Sequence, residues 1–128
     1  MAAKRFNITR KAEKVLSYTF VATDKSPKKM RCDLVPKLRE KAQLVLEDVI
    51  YANYLALTGA GATNDTRARR RAYQDDCLVS LRVLDSLATV ANSQNYLTDK
   101  QYEYLTLLTQ ELYDMVLKWI ESDAKRKV

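Results

Sequence analysis

Arg67, Arg69, Arg70 and Arg71 lie within one short run, directly after the only stretch of the chain that contains glycine. A guanidinium presents a planar fork of donors that matches the oxygens of a phosphate, so this cluster points to anion binding. Its placement adds to the signal. Helical periodicity begins here, so the four side chains occupy the first turn or so of a helix. There the macrodipole is positive and cations are unfavourable. Asp or Glu would serve the helix better, and nothing local accounts for the arginines.

Other chemistry is scarce. The chain has no histidine, which removes the commonest general base and metal ligand and the Glu-x-x-His pairs of a di-iron bundle. Cys32 and Cys77 fall in different predicted helices, so they build neither a zinc site nor a secreted disulfide framework. Gly59-Ala60-Gly61 lacks the lysine and spacing of a phosphate loop. Glu47-Asp48 and Asp75-Asp76 are sequence neighbours, which point in different directions on a helix and cannot converge. No catalytic residue, metal site or cofactor is expected. A binding or scaffolding protein is favoured over an enzyme, a hydrolase with unrecognised carboxylates being the minor alternative.

Composition fits that reading. At 128 residues with 47% apolar content, the chain can bury a core as one domain, 1–128. The net charge of +6 and pI of about 9.3 favour acidic partners, chiefly nucleic acid. Met1 to Lys11 is basic but leads into no apolar h-region, so no signal peptide is expected. Glu47 and Asp48 interrupt the greasiest segment, so no membrane span is expected either. The location inferred is cytoplasmic.

With two glycines and two prolines, the elements must be few and long. The first helix opens near Asn7 and turns Ala12, Val15, Leu16, Thr19 and Phe20 inward. Ser26-Pro27 resembles an N-cap with proline at the first helical position, opening a short turn to Cys32. The main second helix then starts near Asp33, with Pro36 tolerated in its first turn; a kinked continuous helix is the alternative. Val35, Leu38, Ala42, Val45 and Val49 form its core face, widened by Leu46, Ile50 and Leu57. Thr58 to Thr66 is a connection, capped onward by Asn64 or Asp65. Ala72 or Tyr73, then Cys77, Leu81, Leu84, Ala88 and Ala91, give the third helix its seam. Thr98 and Gln101 can form a capping box for the fourth, whose seam is Tyr102, Leu105, Thr109, Leu112, Val116 and Trp119. No segment alternates with period two. The expected fold is an all-α, up-down-up-down antiparallel four-helix bundle.

That topology gathers charge. The starts of helices one and three and the end of helix four share a pole. Lys4, Arg5, Arg10, Lys11 and Lys14, with Lys125, Arg126 and Lys127, would therefore join the arginine cluster as a nucleic-acid surface. The alternative is solvated helix ends, with residues 1–7 and 122–128 frayed. Lys28, Lys29 and Arg31 would sit at the opposite pole. Helix four is also apolar around most of its girth, which predicts burial on more than one side. Tyr104, Leu108, Tyr113, Met115, Leu117 and Ile120 are the expected homo-oligomer interface.

Several short motifs, in order, resemble a known family. Ser26-Pro27-Lys28-Lys29-Met30-Arg31 is similar to its Phe-Pro-Lys-x-x-Arg opening of the second helix. Leu81-Arg82-Val83-Leu84 resembles the core of its third helix. Tyr96-Leu97-Thr98-Asp99-Lys100-Gln101-Tyr102 resembles its turn into the fourth, and Trp119-Ile120 its closing aromatic pair. This is the four-helix-bundle group of the accessory variability determinant proteins of diversity-generating retroelements, similar also to the bundle proteins encoded in intervening sequences of bacterial 23S rRNA genes. The resemblance spans about Val15 to Glu121. It implies a ring-like homo-oligomer, a pentamer in the accessory proteins, and a basic nucleic-acid-binding surface. It also implies partnership with the element's reverse transcriptase during mutagenic copying of a template RNA. A protein-only scaffold is the alternative. The chain departs from the family in carrying Leu117 and Lys118 where small glycines often precede the Trp-Ile pair.

Overall fold

A computed structural model describes residues 6–25 and 33–126 of the chain. It forms four helices: α1 (Asn7–Thr23), α2 (Leu34–Tyr54), α3 (Asn64–Ser93) and α4 (Asp99–Arg126). Each packs on its two neighbours in a closed ring, α1 on α2, α2 on α3, α3 on α4 and α4 on α1. This is the expected all-α bundle, and no strand occurs among the described residues. No helix among them is long and apolar enough to cross a membrane.

The core follows the periodic seams. Val15, Leu38, Val45, Val49, Leu81, Leu84, Leu105 and Leu112 are fully or almost fully buried. Interleaved alanines (Ala12, Ala42, Ala52, Ala88 and Ala91) are sealed as well and leave room for the large side chains opposite. Two expected core residues lie outside it. Phe20 and Ile50 are about half exposed, because each sits at the edge of its helix's apolar stripe. Phe20 instead lies under the Arg39 guanidinium, 4.5 Å from its centroid.

The helix ends are set by local chemistry. Asp33 precedes α2 and Pro36 stands in its first turn, where no intrahelical hydrogen bond is lost. The proposed turn from Pro27 to Cys32, its Ser26 cap and the cations Lys28, Lys29 and Arg31 lie outside the described residues. Helix α4 opens on the expected box: the Thr98 amide donates to Gln101 Oε1 at 3.0 Å, and the Gln101 amide to Thr98 Oγ1 at 3.1 Å. Helix α3 is capped by Thr63, not by Asn64 or Asp65, through a reciprocal pair with Thr66. Threonine does for the third position what Gln or Glu usually does, which hides the box from a search for acidic or amide partners.

Between α3 and α4, Asn95 takes a left-handed φ of 62°. The Tyr96 amide reaches back to Ala91 O at 2.8 Å and the Asn95 amide to Asn92 O at 3.0 Å. These two bonds make a Schellman stop, with asparagine where glycine is commonest.

Candidate nucleic-acid interface

Four arginines adjacent in sequence have three different fates. Arg70 is buried, at 7% exposure. Its Nε and Nη2 donate to the two oxygens of Asp123 at 2.7 and 3.1 Å. Its Nη1 donates to Ala52 O and Leu55 O at the end of α2, and its guanidinium lies 5.1 Å from the Trp119 ring centroid. Gln74 donates to the same carboxylate at 2.9 Å. Arg70 thus ties α2, α3 and α4 together and has no fork left for a phosphate, which corrects its assignment to the binding surface. The signal was in the spacing. Stepping back from Cys77 along the seam by three and four gives Gln74 and then Arg70, and stepping on from Trp119 gives Asp123.

The neighbours of Arg70 remain at the surface. Arg67 donates to Asn64 Oδ1 at 2.7 Å. Arg69 pairs with Asp65 at 3.8 Å and Arg71 with Asp75 at 3.0 Å, each one helical turn away. Lys125 faces Glu121 at 3.7 Å. Exposed pairs of this kind are worth about 0.3–0.5 kcal/mol, so an incoming phosphate displaces them at little cost.

The cations of α1 are not at this pole. Lys11 pairs with Glu111 at 2.9 Å and Tyr18 meets Tyr104 edge-on with centroids 4.6 Å apart. Those contacts fix the register of α1 against α4. Lys11 stands level with Glu111, about 18 Å along the axis from Asp123, and Arg10 and Lys14 are level with the same middle portion. Helix α1 has only 17 residues and begins beside Trp119, where Phe6 packs at 5.0 Å. Its first turn thus lies beside Arg70 and Arg126, while its cations stand farther along, against the middle of α4. Lys4, Arg5 and Lys127 lie outside the described residues. The tail expected to fray is helical through Arg126, and Asn7 opens α1. The buried Asp123 is what holds the last turns of α4.

Of the six residues assigned to the interface on α4, two are exposed, and a third exposed residue joins them. Leu108 is 1% exposed and belongs to the core of the subunit. Tyr113, Met115 and Ile120 are half-buried against that core, with Arg82 packed over the Tyr113 ring at 4.6 Å. Much of the apolar girth of α4 is thus covered by α1 and α3. Tyr104 and Leu117 are exposed, and so is Leu107, which stands off the periodic seam of α4.

Half-buried Asp85 and buried Asp48 complete the polar interior. Asp85 accepts a short hydrogen bond from Thr109, and burial raises its pKa despite that bond. Asp48 faces α3. Burial, with Asp76 and Glu47 adding like charge, pushes its carboxyl up to about 6. Burial, with Asp48 nearby, pushes the Cys77 thiol up to about 12, which leaves it unreactive. A raised carboxyl favours the folded state when protonated, so stability is lost as pH rises from about 4 through about 6. Asp48→Asn is expected to raise the urea midpoint at pH 7 and to match wild type below pH 4, in denaturation curves across that range.

No group of metal-ligating side chains occurs among the described residues. Comparison of the chain with protein-family models gives no match, and no curated protein is significantly similar to it.

Proposed function

We propose that this protein is a nucleic-acid-binding accessory subunit without catalytic activity of its own, acting as a homo-oligomer beside a reverse transcriptase. The observation that supports binding is the set of exposed Arg69, Arg71, Lys125 and Arg126 with the half-buried Arg67 at one end of the bundle, held by nothing stronger than helix-turn pairs. The reverse transcriptase, the copying of a template RNA and the ring assembly rest on the family resemblance alone. Self-association is ascribed to Tyr104, Leu107 and Leu117.

Five phosphate contacts predict a log–log salt slope of about −4.5 on duplex DNA. Replacing Arg67, Arg69 and Arg71 by alanine should make that slope about 2.7 shallower. All sequences should be weakened alike, because phosphate contacts carry no sequence information. Filter binding or anisotropy across a salt series reads both. A flat salt response, or loss confined to one sequence, contradicts the proposal.

The ion pairs of Arg69, Arg71 and Lys125 favour a second reading, in which these are solvated helix ends of a protein-only scaffold. Retained association with a protein partner and no affinity for any nucleic acid would select it.

A further inference from the structure

Where the first turn of α1 meets the last turns of α4 there is an open depression of about 500 Å³. Phe6, Met115 and Trp119 make its apolar floor, and Lys118, Ser122 and Arg126 line its α4 side. The last three recur every fourth residue and so stand in one row on the helix. No acidic side chain lines the depression, and among the described residues neither Lys118 nor Arg126 makes an ion pair. At the arginine end, by contrast, Arg69, Arg71 and Lys125 are each paired with an acid one turn away. Arg70 closes the back wall, but its donors are committed to Asp123 and to carbonyls of α2.

We propose that this depression receives one unstacked base of a single-stranded nucleic acid, with the flanking phosphates on Lys118 and Arg126. Those two positions are about 12 Å apart along α4, which leaves room for a nucleotide between them. The apolar floor decides against a duplex. Paired bases stay stacked inside and present only sugar and phosphate, whereas a splayed base gains from burial against aromatic and thioether groups. The guanidinium of Arg70 already covers the Trp119 ring and Phe6 packs against it, so the base lies on Phe6 and Met115 and meets only the indole edge. The inference rests on the nucleic-acid reading and narrows it to single strands.

Trp119 is the only tryptophan, so its emission reports on this site. The full chain is titrated with end-labelled oligouridylate of about twelve nucleotides and with an RNA duplex of equal length. Label anisotropy and Trp119 emission are followed together. Both nucleic acids should bind, and only the single strand should change the emission. Ser122→Leu fills the depression without altering charge at an exposed helical position. It should weaken single-strand binding about tenfold and leave the duplex unchanged, while Ser122→Ala, the control for folding, alters neither. Single-strand binding with silent emission overturns the base site and leaves the broader reading intact, as does equal loss on both nucleic acids in Ser122→Leu. A polyglutamate peptide that changes the emission as strongly as the oligonucleotide also overturns it. Absence of binding in both arms overturns the nucleic-acid reading itself.

Discussion

Arg70→Ala should destabilise the protein by about 3–5 kcal/mol, because it strips a buried charge of its partner. Asp123 would stay inside, at 6% exposure, with Gln74 as its one remaining donor in the network. The carbonyls of Ala52 and Leu55 would lose the donor that closes α2, and Trp119 would lose the cation over its ring. Urea denaturation followed by helical circular dichroism reads the loss directly. Arg69→Ala and Arg71→Ala remove exposed pairs and should each change stability by less than about 1 kcal/mol. The double change Arg70→Met with Asp123→Leu should recover much of the deficit, since an apolar pair of similar volume avoids the desolvation of two ions. Equal effects of Arg69 and Arg70 on stability would refute the assignment of one to the surface and the other to the interior.

Leu108→Ala is the second large effect, and it bears on assembly. Leu108 is sealed inside the subunit, so truncation should cost about 2.7–5 kcal/mol through lost burial and a residual cavity. That loss should be independent of protein concentration. Leu107→Asp and Leu117→Asp, on the exposed face of α4, should leave the stability of the subunit almost unchanged and lower the assembly mass seen by light scattering. A wild-type chain that scatters as a monomer at micromolar concentration would remove the oligomer from the proposal. A Leu108→Ala loss that varied with concentration would return this residue to an interface.

The two measurements separate properties that coincide on one helix. Apolar girth on α4 has two sources. Packing against α1 and α3 covers Leu108, Tyr113, Met115 and Ile120, while Leu107 and Leu117 remain outward. Period alone cannot divide them, because a helix in a ring of four contacts two neighbours at different angles. Its buried arc is therefore wider than a single seam.

Much of the bundle was legible before any coordinates. Steps of three and four placed Val35, Leu38, Ala42, Val45 and Val49 in the core, as they did Cys77, Leu81, Leu84 and Ala88, and all are buried. The Thr98 box and the tolerated Pro36 were legible too, since each depends on residues within one helical turn. These features are local, and local rules decide them.

The candidate site was legible in its residue types and, for Arg70, in the seam running back from Cys77 through Gln74. The partner that commits Arg70 is a carboxylate 53 positions away. Where the α1 cations lie depends on the register of Tyr18 against Tyr104. Charge and periodicity are properties of a chain segment, so they determined that helices form, which faces are greasy and that cations cluster. Partner choice and axial register are properties of packed pairs, and only the tertiary structure decided them. They set one arginine as a buried brace, left its neighbours outside, and opened an acid-free hollow beside Trp119 that no sequence window contains.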